Sequence, residues 1–137
     1  MKDEQKNILI VDDEPDMCWA LEHILQKRGY SSRTALTGED ALKCIETERF
    51  SLIFLDAKLP DIEGLDLAIR IRELTPSACI VIVSGYFYRD DMDIQEAMER
   101  GVISGFIAKP FDQGEILKIT NRLCPLTSVA EEGGNFP

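Results

Sequence analysis

The polar and apolar positions of this chain fall into short apolar runs separated by amphipathic stretches. Asn7–Val11 (NILIV), residues 52–55 (LIFL) and residues 79–83 (CIVIV) are apolar runs closed by polar turn residues. Runs of this length are typical of strands buried on both faces. Gly105–Ala108 (GFIA) is a shorter run of the same kind, and residues 31–36 form a weaker, more polar strand. Between the runs the period becomes helical. Met17, Leu21, Ile24 and Leu25 make a stripe after Pro15 that stops at Gly29. Ala41, Leu42 and Ile45 follow Thr37-Gly-Glu-Asp40, which resembles a capping box. Residues 65–74 predict a third helix ended by Pro76. Ile94, Ala97 and Met98 predict a fourth ending at Gly101, and Ile116, Ile119 and Leu123 a fifth, opened by Asp112 and Glu115. Residues 86–93 predict a long polar and aromatic loop, and 124–137, aperiodic and containing Pro and Gly, a tail or linker stub.

Five strands alternating with five helices predict an α/β fold, a doubly wound five-stranded parallel sheet with helices on both faces. The expected organisation is one domain over residues 7–123, with an N-terminal extension at 1–6 and the tail after it. Such a sheet gathers the carboxyl ends of its strands on one rim, where open α/β folds place their ligand chemistry.

Composition narrows the partners. The 137 residues carry a formal net charge of −10 with no run of Lys or Arg, which argues against this chain binding nucleic acid or an anionic membrane itself. The N-terminus enters an apolar run too short for a signal peptide, and no stretch approaches spanning length. Cys18, Cys44, Cys79 and Cys124 are scattered, with no CxxC and a single histidine, His23. Thiols in a reducing cytoplasm are therefore expected rather than disulfides or a zinc site.

The rim is where chemistry concentrates. Strand one ends in Asp12-Asp13, strand three in Asp56, strand four in Ser84 and strand five in Lys109. Read alone, Asp56 serves equally as a turn cap, and Ser84 as a turn residue before Gly85. Together they place three carboxylates in one spot, where mutual repulsion calls for a hard cation such as Mg²⁺. A carboxylate beside such a cation is a candidate nucleophile toward phosphorus, with the Ser84 hydroxyl and Lys109 ammonium sharing the charge of the phosphoryl oxygens.

ILIVDDEP (residues 8–15), LIFLDAKLPDIEG (52–64), IVIVSGY (80–86) and FIAKPF (106–111) resemble, in order and spacing, the response-regulator receiver domain, the CheY-like phosphoacceptor module of two-component signalling. The resemblance covers residues 7–123. It implies that Asp56 is the phosphoacceptor. Asp12, Asp13, Asp56 and the Lys58 backbone carbonyl would hold Mg²⁺ or Mn²⁺. Ser84 and Lys109 would contact the phosphoryl group, and Phe106 would occupy an aromatic switch position. The Lys109–Pro110 bond would be cis. It further implies a cytoplasmic signalling module, not an enzyme acting on external substrates. The expected partners are a sensor histidine kinase or phosphotransfer protein, an unspecified downstream effector, and a second copy through the helix-four, strand-five and helix-five face.

Two departures stand out. Ser84 to Lys109 spans 25 positions (109 − 84), slightly long for the family, with the excess near residues 87–91 and 102–104; a reshaped output face is expected. Tyr86 and Lys58, each two residues beyond a site residue, are expected to hinder the water that would hydrolyse the phosphoryl group. The rival readings are a receiver that docks partners without being phosphorylated, and a haloacid-dehalogenase-type phosphohydrolase. The latter wants an Asp where this chain has Lys58.

Overall fold

The computed structural model describes residues 7–85 and 91–126. In chain order the elements are β1 (Asn7–Val11), α1 (Pro15–Gln26), β2 (Ser31–Ala35), α2 (Gly38–Thr47), β3 (Leu52–Asp56), α3 (Gly64–Leu74), β4 (Cys79–Ser84), α4 (Met92–Glu99), β5 (Gly105–Ala108) and α5 (Gln113–Leu123). The strands form one parallel sheet in the order β2-β1-β3-β4-β5. β3 is central and every one of its residues is buried, which is why its sequence is continuously apolar up to Asp56 rather than alternating.

Successive strand residues supply opposite faces of the sheet. Leu9, Val11, Ile53, Leu55, Ile80 and Ile82 face α2, α3 and α4, packing with Ala41, Leu67, Ala68, Ile71 and Ile94. Ile8, Ile10, Leu52, Phe54, Val81 and Val83 face α1 and α5, packing with Cys18, Leu21, Leu25, Ile116 and Ile119. Each fully buried Leu, Ile or Phe stabilises the fold by about 1.5–3 kcal/mol, so the two layers together hold the rim rigidly.

The strands run slightly further into the rim than the apolar runs suggest. β3 includes Asp56, whose backbone pairs with Val83, and β4 includes Ser84, which pairs with Ala108. Ladder pairing, blind to side-chain polarity, carries both polar residues into the sheet. β2 stops at Ala35, leaving Leu36 exposed. The expected loop over 86–93 ends earlier than its polarity implies: Asp91 accepts a hydrogen bond from the Asp93 amide at 2.9 Å and starts α4 at Met92. Exposed Met92 contributes no apolar periodicity, which is why the sequence pattern places the start late. Residues 86–90 lie outside the described residues. Helix stops follow the sequence signals, with Gly29 (φ +90°) and Gly101 (φ +78°) in the left-handed region after α1 and α4. At the end of α5, Cys124 is buried, Leu126 packs on the α1–α5 layer, and the Tyr30 hydroxyl donates to the Cys124 carbonyl at 2.8 Å. The rest of the expected tail, 127–137, and the extension 1–6 lie outside the described residues.

Candidate functional site

The rim brings Asp12, Asp13 and Asp56 together, with one carboxylate oxygen from each within 4.8 Å of the others. The β1–β3 register explains why. Val11 pairs with Leu55, so the next residue of each strand, Asp12 and Asp56, emerges side by side. Asp12 is only 2% exposed and Asp56 8% exposed, whereas Asp13 lies in solvent.

Both oxygens of Asp12 are engaged. Oδ1 accepts from the Glu14 amide at 2.9 Å, at the start of α1, and Oδ2 accepts from Lys109 Nζ at 3.1 Å. Its own amide donates to Ala35 O at 3.1 Å, and its carbonyl accepts from the Cys18 thiol at 3.4 Å. Burial, and after it the Asp12 carboxylate, push that thiol up to about 11, so Cys18 is a packing residue rather than a reactive one.

Lys109 crosses from the end of β5 and lies 3.7 Å from Asp56 Oδ1 as well. Burial pulls its ammonium down, but Asp12 and Asp56 more than offset this, and the net displacement is upward. Asp56 moves to about 6 from an ordinary 3.8, because burial and the neighbouring Asp12 charge both oppose its ionisation. Lys109 and the Lys58 amide act against that rise and are too weak to cancel it. Lys109 stands closer to Asp12 than to Asp56, and this geometry is consistent with Asp56 carrying the uncompensated repulsion.

Among the described residues, then, Lys109 pairs with two of the three clustered carboxylates, Asp12 and Asp56. An excess of negative charge among oxygen donors suits a hard divalent cation, which takes carboxylate and carbonyl oxygens and retains water. The residues present fit such an ion.

Ser84, fully buried, ends β4 beside this cluster, and its carbonyl accepts from the Lys109 amide at 2.8 Å. The Lys109–Pro110 peptide is cis. Phe106, on β5, is 8% exposed and packs into the α2–α4 layer. Its outer edge floors a groove of about 290 Å³ shared with Ile94, Gln95, Met98 and Glu99. The Lys58 ammonium pairs with Glu63 at 3.4 Å on the loop surface. Tyr86, expected to screen the site from water, lies outside the described residues.

The loop between β3 and α3 is visible in the sequence, but its close packing is not. Gly64 donates to Ala57 O at 2.7 Å. A Cβ there would stand 2.3 Å from Asp56 O and 2.7 Å from Ala57 Cα, so only glycine lets α3 start this close behind Asp56. Asp61, in the turn of that loop, accepts from the Gly38 amide at 2.9 Å and the Glu39 amide at 3.0 Å. Those amides, Gly38 first, hold its carboxyl below the usual range. A Pro-Asp turn was visible in the sequence, but the helix it caps lies 23 residues earlier.

Known proteins resemble this chain over most of its length. The model for the response regulator receiver domain matches residues 8–121. Sporulation initiation phosphotransferase F of Bacillus subtilis is 34% identical over 123 residues, covering 90% of this chain and 97% of that protein. The nitrogen assimilation regulatory protein NtrX of Azorhizobium caulinodans is 39% identical over 118 residues, 85% of this chain but 25% of that protein. The crystal structure of the response regulator TrrA from Thermotoga maritima, in complex with Mg²⁺-BeF, superposes with a TM-score of 0.76 at 33% identity, covering 87% of this chain and 99% of that one. Among the described residues, no helix is long and apolar enough to cross a membrane.

Proposed function

Because the chain belongs to the response-regulator receiver family, we propose that Asp56 is its phosphoacceptor and that the surrounding rim carries out the transfer. The observation that supports this most is the meeting of Asp12, Asp13 and Asp56, with Lys109 paired to Asp12 and Asp56. In this reading Asp12, Asp13, Asp56 and the Lys58 carbonyl hold Mg²⁺, or Mn²⁺ in its place. The bound ion would neutralise charge on the phosphoryl oxygens and on the carboxylates. The Mg²⁺-BeF complex of TrrA supports the choice of ion.

An Asp56 oxygen attacks phosphorus while the bond from phosphorus to the donor's leaving atom breaks. That atom keeps the electron pair and takes a proton from solvent. The nucleophile is the ionised carboxylate, which Lys109 and the bound ion would hold in place for attack. Lys109 needs only a small displacement from Asp12 toward Asp56 to reach the new phosphoryl oxygens, and the Ser84 hydroxyl completes their coordination.

The rearrangement of Ser84 and Lys109 then biases β5 and Phe106, and with them the groove against α4, between two conformations. That face serves a downstream effector or a second copy of the chain. The donor is a sensor histidine kinase or a phosphotransfer protein, met in the cytoplasm. The chain turns over no external phosphoester. Residues 7–123 are the working unit, flanked by 1–6 and 124–137. Lys58 and Tyr86 retard hydrolysis of the phosphoryl group.

The test is incubation with Mg²⁺ and acetyl phosphate, followed by intact mass, for wild type, for Asp56→Asn, and for wild type with chelator. A phosphoryl adduct in wild type alone is expected. An adduct that persists in Asp56→Asn moves the acceptor elsewhere, and none in wild type means a docking module that is not phosphorylated.

A further inference from the structure

The loop after β3 is closed on itself. Gly64 N donates to Ala57 O at 2.7 Å, Leu59 N to Ile62 O at 3.3 Å, and Lys58 bridges Glu63 through backbone and side chain. Such a loop moves as a unit, so what holds its tip also sets its base, where Asp56 and Lys58 sit.

The tip is held by α2. The Asp61 carboxylate spans the first two amides of that helix, Gly38 and Glu39, while Thr37 Oγ1 accepts from the third, Asp40, at 3.0 Å. The first intrahelical bond is Ala41 N to Thr37 O. The amides of Gly38, Glu39 and Asp40, which a helix start leaves unpaired, are therefore all satisfied, two of them from a distant loop. Beside them Ile62 lies over Gly38 so closely that a Cβ there would stand 2.4 Å from its Cγ2.

This contact closes a ring around the acidic rim. Asp12 N is bound to Ala35 O at the end of β2, and the chain then passes through Thr37 into the helix start that Asp61 grips. The end of β1 and the loop after β3 are thus joined twice, once by the sheet pairing of Val11 with Leu55 and once over the top through Asp61. Without the second link, the Lys58 end of the loop could shift relative to Asp12 and Asp13 while the sheet stayed intact.

We infer that Asp61 is a positioning residue for the cation site, holding the loop that bears Lys58 at the distance from Asp12 and Asp13 that binding needs. The inference rests on the metal reading given above. Groups behind the ligands of a metal site commonly change its affinity by tenfold or more.

Thr37→Ala is the control, since it removes a cap from the same helix start without touching the loop. Mg²⁺ affinity is measured by calorimetric titration, stability by thermal melting, and loop mobility by amide hydrogen exchange at Leu59 and Gly64. Both Asp61→Ala and Thr37→Ala are expected to lower Tm. Only Asp61→Ala should weaken Mg²⁺ binding, by about tenfold, and speed exchange at the two loop amides. Its phosphorylation rate should fall at low Mg²⁺ and return to the wild-type maximum at saturating Mg²⁺. Equal Mg²⁺ affinity in Asp61→Ala and wild type, or equal losses in the two variants, would reduce Asp61 to a helix cap and overturn the inference. Absence of Mg²⁺ uptake by wild type would overturn the underlying metal reading instead.

Discussion

Replacing Asp56 by Asn should make the metal-free protein more stable. The substitution keeps shape and removes one charge from a cluster of three carboxylates, two of them buried and paired with Lys109. The folded carboxyl sits near 6 and the ordinary one at 3.8, a difference of roughly 2 units, or about 3 kcal/mol at 1.36 kcal/mol per unit. Because the folded value is the higher one, the folded chain keeps a proton between about pH 4 and pH 6 that the unfolded chain has lost. Wild-type stability therefore falls as pH rises through that window, and the whole penalty is present above it. The attraction of Lys109 at 3.7 Å is already part of the folded value, and the buried Asn amide has to find hydrogen bonds of its own there, so the net gain should be roughly 1–2 kcal/mol. That corresponds to about 4–8 °C in Tm for a domain of this size. Urea unfolding of both proteins in chelator, at about pH 7.5 and about pH 4, measures it; the advantage of Asn should be clear at the higher pH and vanish at the lower. A variant no more stable than wild type at neutral pH, or a gain independent of pH, would refute charge repulsion at Asp56 as the cause.

Three further outcomes follow from the same geometry. Lys109→Met strands Asp12 and Asp56 without their cation and should cost about 2–3 kcal/mol in urea unfolding; adding Asp56→Asn should recover part of that loss, and strict additivity of the pair would show that the charges are uncoupled. Gly64→Ala drives a methyl into the Asp56 and Ala57 backbone and should cost about 2 kcal/mol or more while impairing phosphorylation, so a wild-type Tm would mean that the loop relaxes freely. Mg²⁺ at about a hundred times its dissociation constant should stabilise wild type by about 2.7 kcal/mol and Asp56→Asn far less, read as a shift in the urea midpoint.

The order of elements was legible because its signals are local. Pro15 opens α1, Gly29 and Gly101 close α1 and α4, and the apolar runs of β1, β3 and β4 have no other use than a buried sheet. The rim residues followed from topology, since a parallel sheet sends every strand's carboxyl end to the same edge. The sequence was less explicit where one partner is far away or polar. β2 reads SSRTA because, as an edge strand, it pairs with β1 alone and leaves Arg33 and Thr34 in solvent. Asp61 looks like any turn residue until α2 is set against it. The sharing of Lys109 between Asp12 and Asp56 depends on side-chain distances that no spacing rule supplies.

The guanidinium of Arg72, near the end of α3, makes a counterpart to Asp61. It donates to the carbonyls of Pro76 and Ala78 ahead of β4 and, at 3.0 Å, to that of Val102 ahead of β5. The loop that leads into α3 is fastened at one end of the sheet by a carboxylate on helix amides, and the end of α3 is fastened at the other by a guanidinium on loop carbonyls. Mechanically, α3 belongs to the chassis. Under the phosphorylation proposed for Asp56, a helix tied at both ends is a fixed support against which the rest of the rim works.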